Sequence, residues 1–378
     1  MRHQTEVERF VRGEPIAVEV REIERALGEL WQQASRAGES QVHAVSRAAL
    51  WNVVIPARGR TALAAAKKLV DEIAPVLPTR TLTLCLDDQR RDGLEATIES
   101  NVVSQPGGAR MVYSEEITIA GPSGATGHFG ALVRALQVAG LPTATFWLDP
   151  GAPETLLSRE LLPVTSRLVF DTTACLHPRQ LFDIERLATA AQPVPVTDLG
   201  WLRLGALRAL FAGLFDPPVG GGPLAQAARV TIHHRRGADA SALLVLAWLG
   251  VLLDWRPLRS AQTSDGGLRF DFSSGALQRR VEGHLAPTDG ACGRSGMFGI
   301  ELVTVGGERY AIRRTALDQA VLQTPGVPPK PVKLDSSSDA EIAVAALGSR
   351  GRDPLFARCL SYARQLWSLE PDGAGSRR

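Results

Sequence analysis

Along the first half of the chain, short apolar runs alternate with apolar residues spaced three and four apart. Ile23, Leu27, Leu30 and Trp31 repeat at helical spacing with Glu and Arg between them, which predicts a helix over 23–36 closed by Gly38. The run 50–55 reads as a buried strand, and 61–73 as a helix carrying Ala and Lys. Strands follow at 81–86 and 109–120, a helix at 129–139, a strand at 143–148 and a short helix near 155–162. A strand at 167–170, a helix at 178–191 and an extended piece at 194–197 complete the series. Strands separated by helices of about 10 to 15 residues predict a mostly parallel sheet covered on both faces.

The stretch 196–216 ends this series, with 199 onward reading as one helix that stops at Pro217-Pro218. On a wheel of about 100° per residue, Leu199, Leu204, Leu207, Leu210, Phe211, Leu214 and Phe215 share a broad arc. Gly205, Ala206, Ala209, Ala212 and Gly213 collect opposite, where small side chains would let another backbone approach. Arg203 falls in the middle of the apolar arc and Arg208 at its edge. A guanidinium there has to be paired, and Asp198 or another strand-end aspartate is the expected partner.

Past the linker 218–223 the pattern changes. A strand at 229–234 and a strongly apolar helix at 240–254 lead into strands at 268–272, 279–285, 297–305 and 309–313, with Gly306-Gly307 as a hairpin signal. Without helices between them these should form an antiparallel layer. The proline-rich 325–331 reads as a semi-rigid connector. Two helices close the chain, the last opened by Asp353 as N-cap with Pro354 at its first position. The expected fold is therefore an α/β domain with a mostly parallel sheet over 1–198, and a central helix and Pro/Gly linker over 199–223. An α+β domain with an antiparallel sheet follows over 224–378.

A length of 378 residues suits two domains with their own cores. A net charge of +2 gives no basic field for nucleic acid and no acidic tail. The apolar run 242–251 is too short for a bilayer, which takes about 20 residues. The charged stretch 2–12 lacks the apolar core of a signal peptide. Cys85, Cys175, Cys292 and Cys359 are far apart, as expected of reduced thiols in a cytoplasmic protein.

Candidate chemistry is sparse. The loop Gly121-Pro122-Ser123-Gly124-Ala125-Thr126-Gly127 lies between a strand and a helix, where backbone N–H groups can hold an anion. It lacks the Lys-Ser/Thr of a Walker loop and the Rossmann glycine spacing, so a plain flexible connection is the alternative. Asp87, Asp149, Asp171 and Asp198 each end a strand. They could line one sheet edge and hold Mg²⁺, or each could cap the next helix or turn, which is favoured because no further ligand completes a set. His233-His234 point to opposite faces of a strand and cannot chelate one ion. Cys292, near Arg294, could be redox-active or a plain loop cysteine. No Gly-x-Ser-x-Gly elbow and no histidine–acid spacing suggests a nucleophile. No cofactor and no metal are expected.

Several ordered segments then resemble the glucose-6-phosphate dehydrogenase assembly proteins, the OpcA family. They are Leu50-Trp51-Asn52-Val53-Val54, Ser114-Glu115-Glu116-Ile117-Thr118-Ile119 and Leu141-Pro142-Thr143-Ala144-Thr145-Phe146-Trp147. Asp198-Leu199-x-Trp201-x-Arg203-Leu204-x-x-x-Arg208, Phe215-Asp216 and the run from Ala242 through Trp248 to Trp255 continue the match, which covers roughly 45–260. The family pattern has tryptophan pairs where this chain has Phe146-Trp147 and Leu207 before Arg208. The resemblance implies a divergent, non-catalytic member that binds glucose-6-phosphate dehydrogenase and promotes its assembly or activation in the oxidative pentose phosphate pathway. Trp147, Trp201, Arg203, Arg208, Trp248 and Trp255 are the candidate partner-binding or structural residues. A sugar-phosphate-binding enzyme or sensor using Gly121, Ser123, Gly124, Thr126 and Gly127 is the competing expectation.

Overall fold

The computed structural model describes residues 10–39, 44–47, 49–91, 93–104, 110–149, 154–216, 219–274, 279–289, 293–334, 337–349 and 351–369. In chain order the elements begin with β1 (Phe10–Arg12), β2 (Ile16–Val18), α1 (Ile23–Glu39), β3 (Ala44–Arg47), β4 (Trp51–Arg58), α2 (Gly59–Ile73) and β5 (Thr79–Leu86). Next come β6 (Glu95–Ser104), β7 (Arg110–Gly121), α3 (Thr126–Leu136), β8 (Thr143–Trp147), β9 (Arg167–Phe170), α4 (Gln180–Ala190) and β10 (Val196–Asp198). The chain continues through α5 (Leu199–Arg203), α6 (Gly205–Gly213), α7 (Gly222–Ala225), β11 (Ala227–Arg235), α8 (Asp239–Leu252), β12 (Trp255–Gln262), β13 (Leu268–Ser274) and β14 (Arg279–Thr288). It ends with β15 (Met297–Thr304), β16 (Arg309–Ala316), β17 (Gln319–Gln323), β18 (Lys330–Lys333), α9 (Asp339–Gly348) and α10 (Pro354–Trp367).

Two compact units arise, each from discontinuous stretches. One takes Met1–Phe170, Ala190–Thr197 and Ser338–Gly351, and the other Asp171–Thr189, Asp198–Ser337 and Arg352–Arg378. The contiguous division expected from the sequence does not see these returns of the chain.

The first unit holds a sheet in the order β1-β6-β7-β5-β4-β8-β9-β10, with β2 also on β6 and β3 on β7. β7, β5, β4, β8 and β9 run parallel to their neighbours, and β6 is antiparallel to β7. With the β6 hairpin set aside, the strands β7-β5-β4-β8-β9-β10 stand in the doubly wound 3-2-1-4-5-6 arrangement of Rossmann-like folds. Every residue of β5 is buried, as parallel strands covered on both sides require. On one face the buried Arg80 pairs with Glu115 at 2.7 Å, and is met by Glu24 of α1 and the Leu136 carbonyl of α3. On the other face Lys67 of α2 reaches Glu99 at 2.8 Å, and α9 packs on α2 behind it.

The second unit has a sheet in the order β12-β13-β14-β11-β15-β16-β17-β18. All paired neighbours are antiparallel except β11 and β14. The exception follows from chain order: β11 is separated from β12, β13 and β14 by α8, so it lies beside β14 as the end of a crossover. Helix α8 is buried from Ala240 to Gly250 because it has cover on two sides, the sheet and α10. A Cβ at Gly250 would come within 2.5 Å of the Tyr362 ring, so glycine sets how closely α8 and α10 approach.

Differences from the expected elements have physical causes. β6 was not expected, since Glu99 and Asn101 break its apolar alternation, yet both are buried. The central helix expected from 199 onward is split at Leu204 into α5 and α6. Leu199, Leu204, Leu207, Phe211, Leu214 and Phe215 of the expected arc are buried. On the small-residue side, a Cβ at Gly205 would meet nothing within 4 Å among the described residues. β12, β17 and β18 were not expected either, and β18 occupies the end of the supposed connector. Pro217-Pro218 and Cys292 lie outside the described residues. Among those residues no helix is long and apolar enough to cross a membrane.

Candidate functional site

The Asp198-x-x-Trp201-x-Arg203 motif organises one polar cluster of the second unit. Asp198 is the N-cap of α5, its Oδ1 accepting the Trp201 N–H at 2.5 Å. The same carboxylate accepts the Thr172 hydroxyl and the Thr172 N–H, both at 2.8 Å. Gly200 permits this approach. A Cβ there would stand 2.3 Å from Thr172 Oγ1 and 3.1 Å from Asp198 Oδ1.

Arg203, at the end of α5, turns to Asp171. Its Nη1 lies 2.8 and 2.9 Å from the two carboxylate oxygens and 3.2 Å from Thr173 Oγ1. Asp171 in turn caps the short helical turn Thr172–Ala174, accepting the Thr173 N–H at 3.1 Å. Asp171 and Asp198 thus act as caps, and Asp171 is also the ion partner of the arginine in the apolar arc.

Arg208 lies one helix further on, over the face of Trp201 at 3.4 Å from the ring centroid and 5.9 Å from that of Trp248. Its Nη2 donates to the Trp201 carbonyl at 3.1 Å. Burial pushes its pKa down to about 10 against the pull of Asp353. Trp201 is buried, packs at 5.6 Å from Phe356, and donates its indole N–H to Asp353 Oδ2 at 2.7 Å. Asp353 Oδ1 meanwhile caps α10 through the Leu355 and Phe356 N–H groups, each at 2.9 Å. One aspartate therefore ties the tryptophan of α5 to the start of α10.

Asp171 and Asp198 oppose each other's charge. Burial first, and the neighbouring Asp171 second, raise the Asp198 pKa to about 7, against the hydrogen bonds from Trp201 and Thr172. Folding then takes up a proton at Asp198. Its contribution to stability is fullest below the unfolded value of about 4, and is lost as pH rises through about 7. The Asp198 carboxyl carbon should titrate with a midpoint near 7 by NMR, and an ordinary carboxylate midpoint would contradict this environment. Cys175 and Cys359 are buried with their thiol pKa values pushed up by burial, Cys359 to about 12, and so resist becoming thiolates.

Trp201, Arg203, Arg208 and Trp248 are thus brought together. Trp255 opens β12 against Phe272, ring centroids 5.4 Å apart, and its carbonyl accepts the Tyr362 hydroxyl at 2.6 Å. Trp147 is buried at the end of β8 in the first unit. His234 is buried and His233 half-exposed, as their alternation requires.

The Gly121–Gly127 loop lies in the first unit. It makes one turn, Ser123–Ala125, and α3 starts at Thr126, with Gly124 and Gly127 exposed. Ser123 donates its hydroxyl to Asp88, whose other oxygen takes Arg58 Nε at 3.1 Å. The Arg58 N–H goes to Asp149 Oδ2 at 2.9 Å, and Asp87 accepts the Gln89 N–H. Those bonds from Ser123 and Arg58 hold the Asp88 pKa below the usual carboxylate range. A phosphate arriving here would meet Asp88 and Asp149 beside an Arg58 guanidinium already paired with Asp88 at 3.0 Å, and the β4–α2 turn carries Gly59 alone where a dinucleotide fingerprint needs three glycines. Among the described residues no group of three His, Cys, Asp or Glu is placed to hold a metal.

Thr172, Thr173, Gly200, Asp353 and Phe356 were not singled out for this cluster. Asp353 was legible as a cap, but its bond to Trp201 spans 152 residues of sequence, and no local pattern encodes that. What the cluster can do chemically is hold: its carboxylates and guanidiniums are used on one another, on backbone and on aromatic faces.

Residues 70–188 match the family described as the glucose-6-phosphate dehydrogenase subunit N-terminal domain, and residues 194–360 match that subunit's C-terminal domain. Among curated relatives, the "Putative OxPP cycle protein OpcA" of Nostoc punctiforme is 31% identical over 58% of this chain and 47% of the relative. The protein of that name in Synechocystis is 28% identical over 50% of this chain and 40% of the relative. The chain thus spans about half the length of the curated relatives it matches. Among solved structures, a dehydrogenase from Chromobacterium violaceum is 12% identical with a TM-score of 0.45, covering 85% of this chain and 95% of that one. A UDP-N-acetylglucosamine 3-dehydrogenase from Acidithiobacillus ferrooxidans is 8% identical with a TM-score of 0.44, over 83% and 96%. Likenesses at that level assign no activity to this chain.

Proposed function

The chain belongs to the OpcA family of glucose-6-phosphate dehydrogenase assembly proteins, and from that premise we propose that it is a non-catalytic factor that binds this dehydrogenase. It would promote the enzyme's assembly or activation in the oxidative pentose phosphate pathway, acting in the cytoplasm. The observation that carries this reading is the consecutive match to both domains of the family, 70–188 and 194–360. Two features of geometry support it. The Trp201–Arg203–Arg208 cluster lies within the second match and spends its charged groups on holding elements together. The strand-end edge of the parallel sheet presents Asp88 and Asp149 where a nucleotide phosphate would need N–H groups.

The test is a rate measurement. NADP⁺ reduction with glucose 6-phosphate is followed for the pure chain, for the cognate dehydrogenase, and for the dehydrogenase titrated with the chain. The expected result is no turnover by the chain alone and a rate that rises to saturation as it is added to the enzyme. Turnover by the chain alone, or a flat titration, would overturn the proposal.

A further inference from the structure

The sheet of the second unit has one face on the core and one face open among the described residues. On β14, Val281, Gly283 and Leu285 are buried, with Leu246 of α8 against the Gly283 position, whereas Glu282 and His284 between them are half-exposed. Register carries the open face across the strands. Glu282 stands opposite Asp271 of β13 and Arg229 of β11, and Arg229 opposite Val303 of β15, which faces Arg309 of β16. One row further lies Glu301 of β15, and one row beyond that Arg313 of β16, on the same side.

The charges on this face are layered. Asp271 and Glu301 lie low in the sheet, their side chains 9% and 12% exposed. Arg229, Arg309 and Arg313 stand out at 57%, 52% and 56%. Each low carboxylate already meets two arginines. Asp271 meets Arg259 and, at 3.7 Å, Arg269, and Glu301 meets Arg313 at 2.9 Å and Arg309 at 3.5 Å. Glu282, 40% exposed, meets Arg229 at 3.2 Å. The three carboxylates Asp271, Glu282 and Glu301 are thus matched against five arginines, so the outer layer is mainly guanidinium and the face keeps a positive excess. Arginine is also the cation best suited to carboxylate, because its planar fork can make two parallel hydrogen bonds.

We propose that this open face is a docking surface for an acidic protein surface, and that the surface belongs to the dehydrogenase; this step rests on the function proposed above. Charge complementarity selects the occupant. Two copies of this chain set face to face would place guanidinium against guanidinium, which is repulsive. An acidic partner gains long-range steering from the outer arginines and register from the alternating rows beneath.

The experiment uses the full chain, immobilised, with purified cognate dehydrogenase in solution at low and high salt. Arg229→Gln, Arg309→Gln and Arg313→Gln are combined in one variant, with Lys68→Gln on α2 as the charge-loss control. The native chain and the control should bind alike, with association slowing as salt rises. The triple variant should bind at least about tenfold more weakly and lose most of the salt dependence. Because it strands Glu301 its urea midpoint should fall, and adding Glu301→Gln, which removes that charge, should restore the midpoint while binding stays weak. Equal affinity of the native chain and the triple variant would overturn the docking face and leave the function intact. Absence of any binding by the native chain would overturn the function and the face together. If the native chain dimerises and the triple variant does not, the face serves a second copy. If it holds labelled duplex DNA more tightly than the dehydrogenase, it serves nucleic acid. Either result overturns the proposal.

Discussion

Urea unfolding of the Arg203→Met chain should show a loss of about 3 kcal/mol relative to the native protein. Methionine keeps much of the side chain's length and leaves the apolar packing of α5 in place, so the change isolates the charge. What it leaves behind is Asp171, a mostly buried carboxylate that loses a guanidinium at 2.8 and 2.9 Å from its two oxygens. Asp198 stands beside it, so the pair of carboxylates would face each other without the neighbouring cation. Breaking one side of such a pair is costly because the remaining charge is stranded. An unchanged midpoint with weakened binding to the dehydrogenase would instead mean that Arg203 serves the partner. A variant normal in both would mean that the Asp171 pairing is absent in solution.

Trp201→Ala should cost more, about 4 kcal/mol. The indole is buried, lies under Arg208 at 3.4 Å and against Phe356 at 5.6 Å, and its N–H satisfies Asp353 Oδ2 at 2.7 Å. Removing it opens a cavity and takes away the surface on which a partly desolvated guanidinium rests. Trp201→Phe separates these parts. It keeps a ring for Arg208 and gives up only the indole hydrogen bond, so its loss should be about 1 kcal/mol. A loss from the alanine variant no larger than that from phenylalanine would contradict the stacking role.

Much of the fold was legible because local patterns encode it. Parallel strands such as β4 announce themselves as apolar runs, here Val53-Val54-Ile55, and the Asp353-Pro354 start of α10 follows from capping chemistry alone. What escaped was non-local. β6 carries Glu99 and Asn101 on positions that are buried only because neighbouring elements cover them, and a single sequence does not reveal that cover. The position of Arg203 in an apolar arc did signal a paired guanidinium. Which aspartate answers it was open between Asp198 and the other strand ends, because strand-end residues far apart in sequence come together only through sheet order. Asp198 is spent instead on Thr172 and the α5 cap. The aromatic seat of Arg208 was hidden in the same way, since Trp248 is on another helix and Asp353 arrives from the far end of the chain.

The central claim is that this chain acts by binding glucose-6-phosphate dehydrogenase, and the most direct measurement is the mass of what the two form. Purified chain and cognate dehydrogenase are mixed at rising ratios and passed through size exclusion with light scattering. The account predicts a single faster-eluting species that contains both chains and saturates at a fixed ratio. Two peaks at the masses of the separate proteins, at every ratio, would contradict it.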